Sequence, residues 1–125
     1  MKADPIVVKL DAHFAEIARL FIRNNITYLY VVDAAGLFKG VVRLQDTKAY
    51  LNRPDLADVI IALDLLVETF PRLHPDSTLR EAMAEFARHD GERLPVVSRE
   101  GETLQGSITK ADVLLTLAHA TATAT

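Results

Sequence analysis

Residues 106–112, GSITKAD, carry the densest chemistry in the chain. A β-rich stretch ends, a hydroxyl stands at Thr109, and a carboxylate follows three residues later at Asp112, where a helix is expected to begin. A helix start offers backbone N–H groups without intrahelical partners and a partial positive charge, which suit a phosphate. A carboxylate there can accept hydrogen bonds from two vicinal ribose hydroxyls, and Thr109 can donate to phosphate oxygens. Lys110 adds positive charge. The same residues have a plainer use, because Asp is a favoured helix cap and Thr-x-x-Asp is a short pattern.

Elsewhere the residue types argue against catalysis. His13, His74, His89 and His119 lack metal-ligand spacing, so no metal site is expected. Ser98 and Ser107 have no histidine near them, which leaves no activated nucleophile. No acid/base pair, Walker sequence or Gly-rich phosphate loop is present. The net charge is −3, and Arg19 with Arg23 forms the only basic pair at helical spacing. A nucleic-acid partner needs a clustered positive footprint, so none is expected. The absence of cysteine excludes a disulfide framework and Cys-based metal sites, and it fits a reducing compartment.

The elements that must position Thr109 and Asp112 emerge from an internal repeat. FAEIARLFIRNNITYLYVVD, residues 14–33, aligns without gaps on LREAMAEFARHDGERLPVVS, residues 79–98, at an offset of 65. Phe21 falls on Phe86, Arg23 on Arg88, Leu29 on Leu94, Val31-Val32 on Val96-Val97, and Gly36 on Gly101. After one inserted residue Gly40 falls on Gly106 and Asp46 on Asp112. Two copies are too few for a solenoid and suggest a pseudo-twofold pair.

Each copy reads alike. Phe14, Ile17, Ala18 and Phe21 mark one helical face, matched by Leu79, Ala82, Met83 and Phe86. Thr78 and Glu81 form a capping box, whereas His13 is a weaker cap. Strands are expected at 28–33 and 93–98, ending in turns at Gly36 and Gly101, with second strands at 38–42 and 104–108. Tyr28 and Tyr30 flank Leu29, so one is expected in the core and one at a rim, where Tyr28 could stack on a base. Short helices follow, beginning near Asp46 and Asp112. Between the copies Pro54 and Asp55 start a helix whose apolar face is Leu56, Val59, Ile60 and Leu63. Pro71 and Pro75 then break regular structure.

The fold expected is α+β (α/β): β-α-β-β-α twice, with partly antiparallel sheets. The divisions are residues 1–52 for the first repeat, 53–69 for the connecting helix, 70–119 for the second repeat and 120–125 for a frayed, low-complexity tail. With 125 residues, 50% hydrophobic and 25% charged, the chain has the make-up of a soluble globular unit. The apolar stretch at residues 59–67 falls far short of the roughly 18 residues a membrane span needs. No signal peptide is visible. A membrane part, if the domain serves one, is expected outside these residues.

The pattern resembles the CBS domain, on PDSTLREA (75–82), LPVVS (94–98) and G-x-x-T-x-x-D (106–112). The first copy departs from it: Tyr30 stands where the family has Pro, and Arg43 where it has Thr. The strings YLYVVD, 36–51, DLADVIIALDLL and FARHDGERLPVV are similar to the cytoplasmic CBS pair of bacterial CLC-type chloride channels and antiporters.

The resemblance implies a Bateman module that needs no cofactor and takes ATP, ADP or AMP in clefts between its copies. One nucleotide site would use Thr109 and Asp112 with Ile26, packed on the base, and Thr27, a hydrogen-bond partner. The other would use Arg43 and Asp46 with Gly91 and Glu92; Arg43 could meet a phosphate, but Glu92 would repel it, which favours the first. A homodimer through helical faces is expected, as is covalent attachment to a membrane channel domain at the cytoplasmic face of the cell membrane. The alternatives are a ligand-free structural dimerisation domain, or the regulatory domain of a magnesium transporter or an enzyme.

Overall fold

The computed structural model describes residues 2–3, 5–89, 91, 93–100 and 102–124. Helix α1 runs over Phe14–Asn24 because Phe14, Ile17 and Phe21 recur at helical spacing, and all three are buried. His13 caps it without a side-chain hydrogen bond, and Asn25, with φ 48°, ends it in the left-handed region that Asn tolerates. The counterpart α5, Leu79–Ala87, buries Ala82 and Phe86. Its start is the expected capping box: Thr78 Oγ1 accepts from Glu81 N at 3.1 Å, and Glu81 Oε1 accepts from Thr78 N at 2.8 Å.

Each helix lies beside a three-stranded sheet. In the first repeat β3, Tyr28–Val32, is central; β2, Val7–Lys9, pairs with it in parallel and β4, Phe38–Arg43, antiparallel. In the second, β6, Leu104–Thr109, is central between β5, Arg93–Val97, and β1, Lys2–Ala3, both antiparallel. The parallel neighbour of β5 shrinks to a bridge from Leu73, whose N–H reaches Pro95 O and whose O accepts from Val97 N. The α+β plan of two β-α-β-β-α repeats is therefore present, with the short α2, Leu44–Lys48, and the longer α6, Lys110–Ala124, closing the copies.

The repeat alignment carries through to the register. Both hairpins have an irregularity at the same step, between Val31 and Val32 and between Val96 and Val97. Gly40 faces Val31, and Gly106 faces Val96. The inserted residue therefore sits in the hairpin turn. At Gly40, φ is +146° and an added Cβ would come within 2.3 Å of Val67 O, so the bulge and the close approach both require glycine.

The core of residues 6–70 is built from Phe14, Ile17, Phe21, Leu29, Val31, Val42 and Ile60, all buried. In the other unit, residues 1–5 with 71–125, Leu94, Val97 and Val113 are buried with Ala82 and Phe86. Strand residues are buried on consecutive positions in both repeats, which is the pattern of strands covered on both faces.

Three expectations need correction. The segment between the repeats is two separate turns, α3 at Pro54–Ala57 and α4 at Ala62–Leu65, with Val59 and Leu63 exposed. Tertiary pairing breaks the helix: Ile60 O accepts from Phe14 N, Ala62 N donates to Ala12 O, and Leu63 N donates to Leu10 O. The residues 120–124 assigned to a frayed tail continue α6, since alternating Ala supplies the strongest helix former. Residues 2–3, counted with the first repeat, pair with the sheet of the second. The turn glycine Gly101 lies outside the described residues. Among the described residues no helix is long and apolar enough to cross a membrane.

Candidate functional site

Thr109 is the last residue of β6 and Asp112 the third residue of α6, so strand and helix fix both at one junction. Asp112 N donates to Thr109 Oγ1 at 3.0 Å. The hydroxyl of Thr109, and then its backbone N–H, donate in return to the Asp112 carboxylate and hold it below the usual carboxylate range. The pair is thus a reciprocal cap, and it keeps an ionised carboxylate, itself half-buried, at a helix start. Lys110, the first residue of α6, is exposed.

The first repeat places Arg43 and Asp46 at the same two positions of α2, before the helix and third within it. The chemistry differs. Arg43 Nε lies 2.8 Å from Asp46 Oδ2 and Nη2 lies 3.0 Å from Oδ1, a bidentate pair that occupies both carboxylate oxygens. The hydrogen bond to Asp46, and then its charge, raise the Arg43 guanidinium above its ordinary value. The guanidinium expected to meet a phosphate is spent on its own neighbour. Thr27 O accepts from Leu44 N at 2.9 Å, which uses the first N–H of α2 as well.

Ile26 is half-buried and packs against the core of its own repeat, while Thr27 is exposed. Tyr28 is the rim tyrosine, its ring 5.0 Å from that of Phe70, and Tyr30 is the buried one, against Phe38 and Phe70. Gly91 is buried; Glu92, expected to repel phosphate, lies outside the described residues. Among the described residues no group of His, Asp and Glu could hold a metal ion.

Two features were missed by residue-type reasoning. Arg93 is the cross-strand partner of Thr109, and its Nη1 donates to Ser107 Oγ at 2.9 Å. The repeat alignment carried the signal, since Arg93 falls on Tyr28 in the first copy. The second is an apolar pocket of about 270 Å³ lined by Leu73, Leu79, Ala82, Val96, Ile108 and Val113 among others. It opens on the helix-covered face of the second sheet. Thr109 follows Ile108 and so points to the other face.

Comparison with known proteins places this architecture. Inosine-5'-monophosphate dehydrogenase of Mycobacterium leprae is 28% identical over 123 residues, 98% of this chain and 22% of that protein. The magnesium transporter MgtE of Thermus thermophilus is 37% identical over 91 residues, 73% of this chain and 19% of that protein. The chain thus spans about a fifth of the length of these relatives. Among solved structures, the cytosolic domain of the Mg2+ channel MgtE in complex with ATP is 28% identical with a TM-score of 0.73, over 90% of this chain and 44% of that one. CBSX2 in complex with AMP is 25% identical with a TM-score of 0.71, over 92% of this chain and 88% of that one. The family model for the CBS domain matches twice, at residues 1–53 and 61–119, and the chain belongs to the CBS domain family as a tandem pair.

Proposed function

We propose that this CBS pair is a non-catalytic regulatory domain that binds an adenine nucleotide through Thr109 and Asp112 and passes the binding on to an attached ion-transport protein. The observation that carries the reading is the contrast between the two helix starts. Asp112 stands at the start of α6 in a reciprocal cap with Thr109 that keeps its carboxylate ionised, whereas Arg43 grips both carboxylate oxygens of Asp46. Solved relatives hold ATP or AMP, which supports the ligand class. Ile26 and Thr27 are the further contacts that the family resemblance implies, and Arg43 with Asp46 a weaker second set.

The attached protein is read as a CLC-type chloride channel or antiporter, on the strings at residues 36–51 and 55–66. Either ion-transport reading puts the pair at the cytoplasmic face of the membrane. The match to MgtE favours magnesium transport as the second reading.

Calorimetric titration with ATP, ADP and AMP tests the nucleotide reading. Binding to the wild type that is lost in Asp112→Asn and kept in Asp46→Asn supports it. No heat and no melting shift at millimolar nucleotide overturns it in favour of a structural dimerisation domain. Chloride and Mg2+ flux through the full-length protein in liposomes, with and without nucleotide, separates the two transport readings.

A further inference from the structure

We propose that the apolar pocket of the second repeat is a binding site for a small, neutral aromatic molecule, a ligand class apart from the nucleotide above. The internal repeat carries the inference, because it shows the equivalent place filled. Val8 pairs with Val31 as Leu73 does with Val96, and Leu29 faces Val42 as Leu94 faces Ile108. The alignment therefore holds through the strands beneath the pocket. On it, Leu79 stands in the place of Phe14, Ala82 of Ile17 and Thr116 of Tyr50.

The first repeat packs its larger set. Phe14 and Ile17 are buried, Tyr50 packs against the same core, and the rings of Phe14 and Tyr50 meet edge to face with 6.1 Å between centroids. In the second repeat all three side chains are smaller, and all three line the pocket of about 270 Å³. Val96 and Ile108 of the sheet lie beneath it, and Ala82 of α5 and Val113 of α6 stand beside it.

The lining selects against charge and against water. It contains no Lys, Arg, Asp or Glu. Its polar side chains are already engaged: Ser77 Oγ accepts from His74 N at 2.9 Å, and His74 Nδ1 meets Val97 O at 3.0 Å. Thr78 Oγ1 accepts from Glu81 N at 3.1 Å, and Thr116 Oγ1 donates to Asp112 O at 2.9 Å. A buried water needs about two to four polar partners, whereas an apolar cavity of about 150 Å³ takes up benzene. The pocket has room for one or two rings, and burying them is favourable.

A separate molecule fits better than a segment of this chain. After α2 ends at Lys48 the first repeat returns across the start of α1, where Phe14 N donates to Ile60 O at 3.1 Å. In the second repeat α6 runs on to Ala124, and among the described residues no segment returns across the start of α5.

Indole is the probe. It is titrated into wild type, Ala82→Ile and Thr116→Tyr and followed by methyl NMR spectra, beside an uncharged-end peptide of residues 59–66. The expected result is saturable indole binding with a dissociation constant at or below about 1 mM, its shifts centred on the methyls of Leu73, Val96, Ile108 and Val113. Both variants bring in the first repeat's residue and should weaken indole roughly tenfold or more. Ala82→Ile should also raise the melting temperature, as cavity filling does. The indoleacetate anion should bind more weakly than indole, since its carboxylate would lose water. Thr116 is exposed, so Thr116→Tyr leaves the core intact and decides the matter where Ala82→Ile overpacks. Absence of saturable binding overturns the proposal, and so do equal affinities in wild type and Thr116→Tyr, which place indole elsewhere. Binding of the peptide without binding of indole also overturns it and marks a docking groove for a chain segment.

Discussion

Thr109 and Asp112 cap one helix reciprocally: the threonine oxygen accepts the Asp112 N–H at 3.0 Å while its hydroxyl and N–H hold the carboxylate ionised. The capping use and the binding use of these residues are compatible. A carboxylate has about four acceptor directions, so a cap and a ligand can share one. The cap pre-organises the oxygens that a ribose would meet.

The two uses separate by substitution. Asp112→Ala removes acceptor and cap together, and loss of a capping side chain costs about 1 kcal/mol of stability. Asp112→Asn keeps a cap and loses the charge, so its melting temperature is expected to stay nearer the wild type. Nucleotide affinity should fall by roughly ten- to hundredfold in either, the usual worth of charged hydrogen bonds being about 1.5–3 kcal/mol. A variant whose affinity tracks its stability would show that the carboxylate only caps.

Acid should weaken the fold through the same group. The Asp112 carboxyl is lowered by the Thr109 hydroxyl, and Asp33 by the N–H of Leu37 and then of Ala35. A group whose folded-state value is depressed binds fewer protons folded than unfolded. Its stabilising contribution is complete above the unfolded value, about 4, and disappears as pH falls through the folded one. Urea midpoints measured between neutral pH and pH about 3 are expected to drop. The drop should be shallower in Asp33→Asn and in Asp112→Asn. Parallel pH profiles for wild type and both variants would refute the assignment.

The repeat predicts paired core costs. Leu29 and Leu94 occupy equivalent positions, and both are 0% exposed. Leu29→Ala and Leu94→Ala should each destabilise by about 2–5 kcal/mol, from lost transfer energy and the cavity left behind. Chemical denaturation of the two variants measures it; a cost under about 1 kcal/mol at either site would mean that the strand is not a core strand.

These elements were legible because the repeat doubled every weak signal. Thr78 with Glu81, the helical faces and both hairpins follow from local patterns that the alignment reinforced. The connection between the copies was not legible. Pro54 and its apolar neighbours read as one helix, but Ala62 N and Leu63 N donate to the carbonyls of Ala12 and Leu10, and the Ile60 carbonyl accepts from Phe14 N, which draws that backbone into long-range pairing. A two-residue strand such as Lys2–Ala3 has no periodicity to read. Of the candidate site, the Thr109–Asp112 junction was legible from spacing. Arg93 was hidden, because its partner Ser107 is brought beside it only by strand register.

Two glycines with positive φ should behave differently. Gly36, at φ +86°, has open space where a Cβ would stand, so Gly36→Ala carries backbone strain alone, about 1 kcal/mol. Gly40→Ala adds a clash with the backbone of Val67 and should cost several times more. Thermal melts of the two variants rank them; equal costs would place the Val67 segment away from β4.

Association is expected through the helices of the second repeat. α5 and α6 pack on each other, and α6 carries Leu114 and Leu115, 51% and 68% exposed, while α5 carries Met83 at 39%. Soluble chains seldom leave neighbouring large apolar side chains in water without a partner surface. Covering two leucines removes apolar area worth about 1.5–3 kcal/mol for each side chain fully buried. A self-complementary helical face is the simplest way to cover it, since a twofold interface uses the same patch twice. Sedimentation velocity should therefore show a concentration-dependent dimer, with a subunit mass of 13.8 kDa. Leu115→Glu places a charge on that surface without touching the core, so it should shift the equilibrium to monomer and leave the far-ultraviolet spectrum unchanged. A wild type that stays monomeric at high concentration would place the partner surface on another chain, and a dimer unmoved by Leu115→Glu would place the interface on another face.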